Sequence, residues 1–107
     1  MIVERIGLPA MYEMLAEECV ELAHEALKMA RLIRGENPTP KNREEVEGHL
    51  LEEVTDVELC LSELELKVDY SIWDKKIKRF NRRWEEASKE KNDDFNDILK
   101  KIKESGE

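Results

Sequence analysis

The stretch Leu15-Ala16-Glu17-Glu18-Cys19-Val20-Glu21-Leu22-Ala23-His24-Glu25-Ala26-Leu27-Lys28 contains no Gly or Pro and is rich in strong helix formers. At about 100° per residue, Met11, Leu15, Leu22, Ala26, Met29 and Ile33 fall on one apolar stripe. Glu18 falls in the middle of that stripe, Glu25 just off its centre and Glu21 at its edge. An amphipathic helix normally keeps carboxylates on the opposite face, where Glu13 and Glu17 project. The pattern predicts a helix packed against a partner, with carboxylates aimed into the packed side.

Working outward, the first helix is predicted from about Pro9 to Arg34. Proline suits a first turn, Gly35 suits the position just past the end, and Arg31 and Arg34 complement the negative end of the helix dipole. A loop follows over Gly35-Glu36-Asn37-Pro38-Thr39-Pro40-Lys41. Asn42 with Glu45 forms a capping box for a second helix to about Val68. Its stripe is Val46, Leu50, Val54, Val57, Leu61, Leu64 and Val68, with Glu53 and Asp56 on one margin, and Glu52 and Glu63 read as solvated.

Asp69-Tyr70-Ser71 is predicted as a turn, with Ser71 and Asp74 as a capping pair. A third helix is expected from Ile72 to Lys91, carrying an apolar stripe of Trp73, Ile77, Phe80, Trp84 and Ala87. A short fourth helix starts at Asn92 or Asp93 and runs through about Glu104, with the tail from about Ser105 frayed. Short connections favour antiparallel neighbours. The expected fold is therefore all-α: one domain over residues 1–107, a four-helix bundle with two long N-terminal antiparallel helices. A chain this short buries a modest core, which favours completion by a second copy.

Composition narrows the function. Charged residues make up 41% of the 107 residues, aromatics 6%, and the net charge is −8. Such an acidic chain is not expected to bind duplex nucleic acid, which requires Lys and Arg to displace counterions. Cys19 and Cys60 lie within predicted helices and read as reduced small hydrophobes. The start of the chain lacks a signal-peptide pattern, and no apolar run is long enough to span a bilayer. The expectation is a soluble, cytoplasmic protein without membrane association.

The two long helices each carry an acidic pair spaced i, i+3: Glu18 with Glu21, and Glu53 with Asp56. Residues at that spacing stand side by side, roughly 5–6 Å apart at Cβ. On facing helices the four carboxylates would converge, repel one another and lose hydration. A hard divalent cation relieves both penalties through oxygen ligation. Against this stands the abundance of Glu in the chain, which generates acidic pairs by chance, and the ability of a lone Glu to bend outward or pair with Arg.

Glu17-Glu18-Cys19-Val20-Glu21 followed by Glu53-Val54-Thr55-Asp56 resembles the EExxE…ExxD signature of the MazG-like all-α nucleoside triphosphate pyrophosphohydrolases. The resemblance covers roughly residues 8 to 66 and weakens through the third helix. It implies Mg²⁺-dependent hydrolysis of a nucleoside triphosphate to the monophosphate and pyrophosphate, in housecleaning of the nucleotide pool, by a homodimer or homotetramer. Mn²⁺ would be a substitute metal. It makes Glu18, Glu21, Glu53 and Asp56 the metal ligands and places Glu18, Glu21 and Glu53 in the catalytic step, with Glu17 projecting outward.

The family's third helix supplies a basic residue and an asparagine to the nucleotide. The candidates here are Lys78, Asn81 and Arg82. The family's usual spacing, Lys four before the Asn and Arg three after, is not matched, since Ile77 and Trp84 hold those positions. A solvated basic face is the alternative for these residues. Among other readings, Glu21-Leu22-Ala23-His24 contains the Glu-x-x-His step of di-metal carboxylate bundles. That architecture needs a second such step, which His49 with Val46 three before it does not provide. A non-enzymatic helical interaction module and a phosphoribosyl-ATP pyrophosphatase-like enzyme are the remaining alternatives.

Overall fold

A computed structural model describes residues 1–36 and 42–105. It contains four helices: α1 (Ile2–Ile6), α2 (Leu8–Arg34), α3 (Arg43–Glu63) and α4 (Tyr70–Ser105). The class is all-α, with no strand among the described residues. The predicted loop falls largely on residues 37–41, outside the described residues, as do the last two residues of the tail. No helix is long and apolar enough to cross a membrane among the described residues.

The chain divides into two compact units, Met1–Lys67 and Val68–Glu107. In the first, α2 and α3 pack along each other. Glu63, at the end of α3, accepts hydrogen bonds from Ile2 and Val3, just ahead of α2, while Glu18 in mid-α2 lies against Glu53 and Asp56 in mid-α3. The pair is therefore an antiparallel hairpin.

The ends of α2 and the start of α3 follow local chemistry. Pro9 occupies the first turn of α2, and Gly35 closes it in the left-handed conformation at φ 69°. Its N–H donates to Leu32 O and the Glu36 N–H to Arg31 O, a double bond pattern that satisfies the last carbonyls. The Asn42 side chain accepts from the Glu45 N–H at 2.8 Å, as the capping reading expects.

The end of α3 differs from expectation. It stops at Glu63 rather than Val68. The chain closes with the same double pattern, Glu65 N–H to Ser62 O and Leu66 N–H to Leu61 O, but with a glutamate, Glu65 at φ 56°, in the left-handed position. No glycine announces this stop, so the apolar periodicity runs past it. Glu63 is also not the solvated residue expected. It is half-buried, and its carboxylate accepts from the Ile2 N–H at 2.9 Å, capping the short helix α1, which the sequence reading did not foresee.

Met11, Val46 and Cys60 are the buried apolar side chains, and Leu15, Leu22, Met29, Leu50, Val57 and Leu61 are half-buried. Two helices can cover only one stripe of each other. The outer residues of the predicted stripes remain exposed, Ile33 and Val68 among them.

The second unit is built on α4. Its cap is Asp69, not the predicted Ser71–Asp74 pair: the Asp69 carboxylate accepts from the Ser71 N–H at 2.9 Å, the Ser71 hydroxyl at 2.6 Å and the Ile72 N–H at 3.2 Å. The Ser71 hydroxyl, followed by these backbone donors, holds the Asp69 carboxyl below the usual carboxylate range. The helix then runs without a break through Asn92 and Asp93, where two helices were expected. Asn and Asp in a helix interior cost at most roughly 0.7 kcal/mol each. The apolar stripe continues beyond them through Phe95, Ile98 and Ile102, so nothing stops the helix there.

Candidate metal centre

The antiparallel packing of α2 on α3 brings the anomalous carboxylates together. One carboxylate oxygen from each of Glu18, Glu53 and Asp56 lies within 4.8 Å of those from the other two. Glu21 lies close enough to Glu53 to share a hydrogen bond with it and adds its negative charge. All four residues predicted as ligands thus gather at one place on the α2–α3 hairpin. Glu17 is exposed and acts on Glu18 only through its charge.

The cluster is strained electrostatically. Glu18 and Glu53 are half-buried, and the Oε2 atom of each is fully shielded with no donor group reaching it. A shielded carboxylate oxygen without a donor is rare, because desolvation is not repaid. Burial pushes the Glu53 carboxyl up to about 7, helped by its hydrogen bond to Glu18 and the charge of Glu21. Burial also raises Glu18, partly offset by that hydrogen bond, with the Glu21, Asp56 and Glu17 charges adding to the rise. A proton on Glu53 shared with Glu18 is the relief available to the chain alone. A cation is the stronger relief, and an all-carboxylate donor set suits a hard ion such as Mg²⁺ or Mn²⁺.

Two features beside the cluster were not tied to it from the sequence. Cys60 is buried below the cluster, its thiol pushed up by burial and then by the Glu18 and Asp56 charges. An open groove of about 370 Å³ runs along α3, lined by Gly48, Leu51, Glu52, Thr55 and Asp56, so Asp56 joins the cluster to a concave surface. Gly48 has nothing within 4 Å of the position a Cβ would take, which is the one local signal of this opening that a sequence can carry.

Lys78, Asn81 and Arg82 are exposed residues of α4, in the second unit. His24 is exposed and outside the acidic group, and His49 lies 3.8 Å from Glu52. Glu25, off the stripe centre, is paired with Lys28 at 3.0 Å. Cys19 and Cys60 are both free thiols, Cys19 exposed.

Neither a protein-family model nor a curated protein nor a solved structure matches this chain.

Proposed function

We propose that the chain is a Mg²⁺-dependent nucleoside triphosphate pyrophosphohydrolase of MazG-like type, acting as a homo-oligomer. The observation that carries this reading is the pair of shielded, donorless oxygens of Glu18 and Glu53 beside Asp56 and Glu21. A plain structural bundle has no reason to hold four carboxylates in this way, because apolar residues of similar size would pack there at lower cost. The motif order, EExxE on one helix and ExxD on the next, agrees with the MazG-like pattern.

Glu18, Glu21, Glu53 and Asp56 would hold the ion. When bound, the metal supplies charge neutralisation for the triphosphate and a polarised water. The chain's own part is orientation and proton handling. Glu18 or Glu21 would orient the attacking water. Glu53 would stand beside them as the third carboxylate of the catalytic step. Oxygen of that water bonds to the α-phosphorus, the bond to the bridging oxygen breaks, and pyrophosphate leaves with the electron pair. The groove beside Asp56 offers a place for part of the nucleotide. By the family pattern, Lys78, Asn81 and Arg82 are the basic and amide residues proposed for substrate binding.

The direct experiment is a pyrophosphate-release screen across standard and modified nucleoside triphosphates with Mg²⁺ and Mn²⁺. Metal-dependent release of pyrophosphate, lost in Glu53→Gln while the helical signal is retained, is the expected result. Orthophosphate as the product, or full activity in Glu53→Gln, would remove the assignment.

A further inference from the structure

α4 leaves an apolar stripe uncovered along its whole length. Trp73, Ile77, Phe80, Trp84, Phe95 and Ile98 on that stripe are between 47% and 68% exposed. At about 3.6 residues per turn, the stripe from Trp73 to Ile98 runs for about seven turns at no more than a quarter of the helix circumference, which is the narrow seam of a helix that pairs with another helix.

The charges beside the seam identify the occupant. Lys75 to Arg83 contains six basic residues and no acidic one, whereas Glu85 to Asp97 contains six acidic residues and two lysines. At about 100° per residue, Lys76, Arg79 and Arg83 line one flank of the seam, and Glu90, Asp94 and Asp97 line the same flank further along. In an antiparallel helix pair, a flank faces the identical flank of the other helix. A two-fold axis between Glu86 and Ala87 places Lys76 opposite Asp97, Arg79 opposite Asp94 and Arg83 opposite Glu90, each pair equidistant from the axis. The other flank then sets Asn81 opposite Asn92.

We infer that α4 is a self-association helix that binds α4 of a second copy antiparallel, in this register. The occupant is the chain itself because both halves of the charge pattern lie on one helix and complement each other only when reversed. A parallel pair would set the charged flank against the nearly neutral one and leave these charges without partners. Lys78 and Arg82 project away from the seam, so the inference shares only Asn81, on the second flank, with the proposed nucleotide role.

The test is sedimentation of the full chain with two charge-reversed variants. One carries Lys76→Glu, Arg79→Glu and Arg83→Glu. The other carries Glu90→Lys, Asp94→Lys and Asp97→Lys. Each alone places like charges on both sides of the axis, and each is expected to weaken self-association on the order of 100-fold and halve the sedimenting mass. Mixing the two restores opposite charges at all six contacts and is expected to restore the assembly, which a folding defect would not do. A monomeric wild-type chain at micromolar concentration, single variants with wild-type mass, or a mixture that stays dissociated would each overturn the inference. Loss of pyrophosphatase activity with the assembly intact would count only against the enzymatic reading.

Discussion

Glu18 on α2 and Glu53 on α3 present carboxylate oxygens within 4.8 Å of each other, and each also has one oxygen shielded from solvent without a donor. Two ionised carboxylates in that position repel, and a shared proton or a bound cation would relieve the repulsion. Which of the two it holds depends on pH, and that makes the centre accessible to simple measurements.

In the metal-free chain, the Glu53 carboxyl titrates at about 7, against an ordinary value of 4.5. A carboxyl raised on folding binds its proton more tightly in the native state. Its contribution to stability is complete below pH 4.5 and is lost as pH rises to about 7 and beyond. Raised Glu18 acts in the same direction. Thermal melts without metal should therefore show a lower Tm at pH 8 than at pH 5 in the part that Glu53→Gln removes. A Tm difference identical in wild type and variant would show that the pair does not titrate in this window.

Metal should reverse that trend. Ligation requires deprotonated carboxylates, so Mg²⁺ competes with the proton on Glu53 and binds better as pH rises. Titrating Mg²⁺ at pH 8 should raise Tm progressively, following the ratio of metal to its dissociation constant. The same titration at pH 5 should do much less. Asp56→Asn and Glu18→Gln should each flatten the response at pH 8. An unchanged melting curve with Mg²⁺ at pH 8 would argue that the cluster only shares a proton.

Much of this hairpin was legible in the sequence because its signals are local. Asn42 with Glu45, Pro9 and Gly35 mark helix ends through backbone chemistry that their neighbours do not alter, and all three stand where expected. The convergence of Glu18, Glu21, Glu53 and Asp56 followed from periodicity and the antiparallel turn. What was not legible depended on partners far along the chain or on a residue used against type. Glu63 caps α1 from 61 residues away, so no local pattern could mark it. Glu65 ends α3 in a conformation ordinarily left to glycine. Asn92 and Asp93 look like a boundary in isolation, but the stripe that continues through Phe95 and Ile98 carries α4 past them.

The two helix ends permit a matched comparison. Gly35 and Glu65 occupy equivalent left-handed positions with the same hydrogen-bond pattern. A residue with a Cβ pays about 1 kcal/mol there. Glu65→Gly should stabilise the chain by about that amount in urea unfolding, and Gly35→Ala should destabilise it by a similar amount. Equal stabilities for Glu65→Gly and wild type would mean that the Glu65 side chain makes a compensating contact.

Core substitutions should separate by depth. Met11 is fully buried, whereas Leu22 is half-buried, so the large truncation cost belongs to Met11. Met11→Ala should cost about 2–5 kcal/mol, through lost burial and the cavity it leaves. Leu22→Ala should cost less than that range. Gly48→Ala is the opposite case: the site lies inside α3 with open space around a new Cβ, so relief of the glycine penalty should add roughly 0.5–1 kcal/mol. Because Gly48 also lines the groove at Asp56, the same methyl should raise KM for the nucleotide if part of it sits there. A stabilised variant with unchanged KM would place the nucleotide on another face of the cluster.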